Sequence, residues 1–92
     1  MSPYMGGSAL GMADQICEGY ILLTAVHLKR LSDAEMDQLQ FEVERKLRDL
    51  RGEVVPQDNV TAIQARNRKL MRLSGAIQQI QATRAKRRRG GV

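Results

Sequence analysis

The sequence predicts an all-α protein: an antiparallel helical hairpin over about residues 33–50 and 60–82, with a further N-terminal helix over about 14–30 and coiled-coil-like packing. Three observations carry that prediction. A capping box opens the first hairpin helix. Two apolar stripes recur at helical spacing. A glycine and a proline stop the chain between them.

The first hairpin helix is the clearest element. Ser32-Asp33-Ala34-Glu35 fits the capping-box pattern, in which the Ser32 hydroxyl accepts from the Glu35 amide and the Glu35 carboxylate accepts from the Ser32 amide. Asp33, Glu35 and Asp37 place negative charge where the helix dipole favours it. Met36, Leu39, Val43, Leu47 and Leu50 then form an apolar stripe on one face. Arg45, Lys46, Arg48 and Arg51 fill the last turns with the favoured sign. Gly52 is expected as the C-cap, and Pro56 prevents continuation.

Asp58 or Asn59 is expected to cap the second helix. Its stripe is Val60, Ile63, Leu70, Leu73, Ile77 and Ile80, interrupted by Arg66. Asn67 and Ser74 stand at its edge, as polar register markers or as ordinary boundary residues. A connection of about 6–8 residues between two amphipathic helices gives an antiparallel pair. If Leu50 lies opposite Val60, Asp33 comes near Ile77. The second helix then overshoots, and its last turns need cover from residues 14–31 or from another subunit.

Residues 14–31 are less regular. Ile16, Tyr20, Leu23, Val26 or His27, and Leu31 recur at helical spacing, and Asp14 suits a start. Gly19 opposes a helix by about 1 kcal/mol, and the run from Tyr20 to Val26 is β-prone. A helix is favoured because no second strand exists for a strand to pair with. Residues 1–12, rich in Gly and Ser, are read as disordered, and Met12-Ala13-Asp14 would make an ordinary start. This gives a helical domain over 13–83, flanked by a disordered segment over 1–12 and a basic disordered tail over 84–92.

Ninety-two residues without Trp and with a single Phe supply a small core. Oligomerisation or a partner would complete it. Cys17 is the only cysteine, which excludes an internal disulfide. The longest apolar stretch, Tyr20 to Val26, is too short to span a bilayer and lacks a basic region before it. A cytoplasmic protein with no membrane partner is expected.

Net charge is +5, but it is segregated. Residues 1–30 balance, with two acids and two bases. Residues 31–58 carry eight acids and four bases, and residues 59–92 carry nine bases and no acid. Such asymmetry points to an acidic–basic pairing within the chain, to a polyanionic partner, or to both.

No catalytic or cofactor constellation emerges. His27, the only histidine, has no partner at metal spacing and is read as structural. Cys17 is read as a half-buried structural thiol with no base beside it in sequence. The run from Gly6 to Gly11 lacks the Lys-Ser or Lys-Thr that a phosphate loop needs. Asn59-Val60-Thr61 matches a glycosylation sequon but is read as a helix cap. Asp33, Glu35, Asp37, Glu42 and Glu44 are read as solvent-side carboxylates for capping and pairing. No enzyme activity, cofactor or metal is expected.

Two candidate contact surfaces remain. Phe41 lies about 140° around its helix from Met36, so it must meet residues 14–31, meet another chain, or stand exposed. Phe41, Tyr20, Leu73, Ile77 and Ile80 are the candidate protein interface. Arg66, Arg68, Lys69, Arg72, Arg84, Lys86, Arg87, Arg88 and Arg89 are the candidate polyanion set. No aromatic stands among them to stack on bases, so binding would be to the phosphate backbone and largely independent of sequence. Three of these bases, Arg66, Arg68 and Lys69, would face the basic end of the first hairpin helix and so need solvent or an anion.

The start Leu31-Ser32-Asp33-Ala34-Glu35-Met36, a helix, a short loop and then Asn59-Val60-Thr61-Ala62-Ile63-Gln64-Ala65-Arg66-Asn67-Arg68 resembles the two-helix hairpin protein of the large ribosomal subunit, from Leu31 to about Ile80. The aromatic-Asn-Leu-Arg stretch expected near the end of that family's first helix is absent, and residues 14–31 have no counterpart. Membership is therefore not assigned. The leading expectation is a non-enzymatic helical interaction or adaptor module that docks on another protein or on itself, as a homodimer. The second is a small basic accessory protein on RNA, DNA or the ribosome.

Overall fold

The computed structural model describes Tyr4 and residues 7–89. Four helices follow one another: α1 (Ala9–Glu18), α2 (Ala25–Leu28), α3 (Asp33–Arg51) and α4 (Val60–Arg89). The described residues contain no strand. The all-α expectation holds, and α3 begins and ends almost where its caps place it.

The capping box is formed. The Ser32 amide donates to Glu35 Oε1 at 2.8 Å, and the Glu35 amide donates to Ser32 Oγ at 3.1 Å. Met36, Leu39, Val43 and Leu47 are buried along one face of α3. Gly52 ends α3 with ordinary helical dihedrals. Gly19, at φ +82°, does need a glycine's freedom, as does Gly7 at φ +85°.

Gly19 also corrects the N-terminal reading. The expected helix over 14–30 is two helices, broken where Gly19 closes α1 in the left-handed conformation. Residues 20–24 then lead without regular secondary structure into the single turn of α2, with Thr24 itself extended. Residues 9–12 are not disordered, because Ser8 caps α1 by accepting from the Gly11 amide at 3.0 Å, and Ala9 and Met12 are buried. The rest of the expected N-terminal disorder lies largely outside the described residues. At the other end, α4 does not fray near residue 82 but continues to Arg89, so residues 84–89 are helix; residues 90–92 lie outside the described residues.

The hairpin register also differs. Arg66 lies against Leu50 and Arg51, Arg84 against Asp37 and Gln40, and Arg87 against Asp33. The partner of Asp33 is thus Arg87, not the neighbourhood of Ile77. Residues 52–59 and the first turn of α4 are taken up in reversing the chain, with Asn59 Oδ1 accepting from the Ala62 amide at 3.0 Å. Val60 is exposed as a result. The shift, six residues at the Leu50 end and ten at the Asp33 end, removes the overshoot, since the last turn of α4 pairs with the first turn of α3.

Helix α1 packs on both α3 and α4, and α2 packs on α4. One core unites Met12, Ala13 and Ile16 of α1 with Leu23, Leu28 and Leu31 of the following segment. The hairpin adds Met36, Leu39, Val43 and Leu47 from α3, and Leu73, Ala76 and Ile80 from α4. The Tyr4 hydroxyl donates to the Glu35 carbonyl at 2.9 Å. Burial pushes the Tyr4 phenol up, with the Glu35 charge adding to it.

Candidate interaction groove and basic faces

Five of the nine candidate polyanion residues are occupied inside the fold. Arg66 donates from Nε to the Leu50 carbonyl at 3.0 Å and from Nη2 to the Arg51 carbonyl at 3.1 Å. It therefore caps the C-terminus of α3, where carbonyls lack helical partners and the dipole is negative. Arg72 does the same for α1, donating from Nε to the Cys17 carbonyl at 3.0 Å. Lys69 pairs with Glu18 at 3.3 Å. Arg84 pairs with Asp37 at 3.3 Å and Arg87 with Asp33 at 3.2 Å. The cluster expected to need an anion is thus largely satisfied from within. Only Arg68, Lys86, Arg88 and Arg89 of the nine are exposed and without a partner among the described residues.

The candidate protein interface divides as well. Leu73 and Ile80 are fully buried and belong to the one core cluster that also holds Met36, Leu39 and Val43. They are not available as an interface. Phe41 is 52% exposed and is not covered by residues 14–31. It shares a shallow hollow of about 330 Å³ with Ile77 of α4, beside Glu44, Leu47, Arg48 and Arg51. Tyr20, next to the Gly19 break, is 79% exposed.

A hollow larger than the one at Phe41 draws only Arg72 from the candidate residues. A groove of about 570 Å³ runs between residues 19–24 and the middle of α4, with Ile21, Leu22, Met71, Arg72, Gly75 and Ala76 among its walls. Its rim is strongly apolar, with Leu22 81% and Met71 74% exposed. The Leu22 and Leu23 amides have no hydrogen-bond acceptor among the described residues. Arg72 enters the groove with its Nη groups unpartnered, only Nε being held by Cys17. Gly75 faces open space, since a Cβ built there would meet nothing within 4 Å.

The remaining candidates are structural in this setting. His27 Nδ1 accepts from the Thr24 amide at 3.1 Å and lies 3.2 Å from the Thr24 hydroxyl, which secures the turn of α2. Cys17 is half-buried. It has basic neighbours in space that it lacks in sequence, namely Lys69, Lys46 and Arg72. Burial nevertheless pushes its thiol up, and Glu18 adds to that, so the three cations do not make it a reactive thiolate. Glu42 is not on the solvent side: it is buried, and it pairs with Arg45 at 3.5 Å. Lys46 pairs with Asp14, tying α3 to α1. Among the described residues no group of His, Cys, Asp or Glu could hold a metal ion, and no helix is long and apolar enough to cross a membrane.

No protein-family model, no curated protein and no solved structure matches this chain.

Proposed function

We propose that this protein is a non-enzymatic, cytoplasmic interaction module whose groove between residues 19–24 and α4 receives a short apolar segment of a partner protein bearing a carboxylate. Gly75 is the observation that carries the reading. A mid-helix glycine opposes helix formation by about 1 kcal/mol relative to alanine. Neither its dihedrals nor a close neighbour requires glycine there. What its missing side chain does is deepen the floor of the groove.

The chemistry of the walls selects the occupant. Apolar side chains supply most of the surface, and no acid lines the groove. The free Nη groups of Arg72 favour a carboxylate, which a planar guanidinium binds well. One of the free Leu22 and Leu23 amides, which face opposite ways in an extended segment, can pair with an extended backbone. A second copy fits less well. Leu22 and Met71, with neighbouring Tyr20 and Val26, are well exposed, but four side chains supply less than the ~800 Å² per partner that stable interfaces bury.

The test is selection of random 12-residue displayed peptides on the full chain. Enriched peptides should be apolar with one Asp or Glu. They should bind Gly75→Phe and Leu22→Ser at least tenfold more weakly, and Val54→Ser, altered at an exposed apolar site in the α3–α4 connection, like the parent. Peptides that bind Gly75→Phe equally well would overturn the reading, as would a library that yields no enrichment. A dimer in solution that Leu22→Ser dissolves would assign the groove to a second copy instead.

A further inference from the structure

Three of the four free cations of α4 stand together. Lys86, Arg88 and Arg89 crowd its last turn, whereas Arg68 stands more than four helical turns away. Between them in sequence, Arg87 turns inward and donates from Nη2 to the Leu28 carbonyl at 3.0 Å. That bond fixes the C-terminus of α2 against the last turn of α4. Lys29 and Arg30 follow Leu28 directly, and both are exposed and without a partner among the described residues. Five unpaired cations from two distant parts of the chain therefore meet at one end of the molecule.

Among the described residues nothing at that end neutralises them. The nearby acids are those opening α3, and each is engaged: Asp33 with Arg87, Asp37 with Arg84, and Glu35 with the Ser32 amide. The negative end of the α4 dipole amounts to about half a charge, far below five.

We infer that this composite end, Lys29 and Arg30 with Lys86, Arg88 and Arg89, binds the phosphate backbone of a double-stranded nucleic acid. The reading is independent of the groove, since none of the five residues lines it. A duplex is favoured over a single strand because no aromatic side chain stands among the cations to stack on bases. Contact is electrostatic, so it is insensitive to base sequence and strongly sensitive to salt.

A labelled 20-base-pair duplex of mixed sequence, titrated with the full chain by fluorescence anisotropy, tests this. Five phosphate contacts give a log–log salt slope of about −4.5, a loss of several hundredfold between 50 and 200 mM salt. Lys29→Gln with Arg30→Gln should flatten the slope by about 2, and Lys86→Gln with Arg88→Gln and Arg89→Gln by about 3. Arg68→Gln, at the far end of α4, should leave it unchanged. The five side chains make no internal bond, so the variants should stay folded, with the α4 triple variant's midpoint lowered only by the lost helix-dipole interaction. Three results would overturn the inference: no duplex binding at 50 mM salt, parental binding by the Lys29 and Arg30 variant, or binding to phosphatidylserine vesicles without binding to the duplex.

Discussion

Arg68 and Arg72 stand one turn apart on nearly the same side of α4, yet they belong to different parts of the protein. Arg72 lies under the end of α1, with its guanidinium over Gly19 and its Nε on the Cys17 carbonyl. Arg68 makes no contact of that kind and stands exposed and unpartnered among the described residues. The difference teaches how a chain with fifteen bases and ten acids stays ordered. Its inward cations are matched to helix C-termini, at Arg66, Arg72 and Arg87, as much as to carboxylates. The cations left over are the ones free for a partner.

The comparison breaks most visibly at Arg72. A hydrogen bond from a charged donor to a partly buried carbonyl contributes about 1.5–3 kcal/mol. Arg72→Ala should therefore destabilise by about 2 kcal/mol, read as a lower urea midpoint at unchanged slope. Arg68→Ala should stay within about 0.5 kcal/mol of the parent. Equal effects at the two positions would mean that the Cys17 contact is not structural. Gly19 belongs to the same unit. A Cβ there would sit 3.2 Å from Arg72 Cζ, on a backbone at φ +82°, so Gly19→Ala and Arg72→Ala should lose less together than the sum of their separate effects.

Helix α3 could be read in advance because its signals are local: a capping box, a stripe of period 3.6 and flanking charges of the right sign. Helix α1 carried equally local signals that composition obscured. Ser8 is a good N-cap, and Ala9, Met12, Ala13 and Ile16 have helical spacing, but among Gly and Ser the two alanines do not look like core. Gly19 counts against a continuous helix, and it is in fact a stop signal. The register could not be read, because Leu50 and Val60 align only if the connection adds no length. Arg66 looked like a fault in a stripe because charge counting does not see backbone carbonyls as acceptors. The groove depends on that register and on the Gly19 break, so it could not be reached from sequence; an unexplained glycine at position 75 was its one available sign.

A smaller effect, of opposite sign, sharpens the contrast between positions built for the fold and positions built for contact. Gly75→Ala replaces a mid-helix glycine where a Cβ meets nothing. It should stabilise the protein by about 0.5–1 kcal/mol while weakening the groove-selected peptides. Stabilisation with undiminished peptide binding would separate the glycine from the groove and leave it without a functional account.

The smallest effect concerns Cys17, whose carbonyl receives Arg72 and whose thiol is held up by burial first and Glu18 second. A thiol pKa above its unfolded value means that the folded state holds the proton more tightly. Its contribution to stability is complete below the unfolded value of about 8.5 and is lost as pH rises through the folded value. The stability difference between the parent and Cys17→Ala should therefore shift against the parent between neutral pH and about pH 10. Tyr4, also raised, is present in both proteins and cancels from the difference. A difference that stays flat across that window would show that Lys69, Lys46 and Arg72 offset the burial of the thiol.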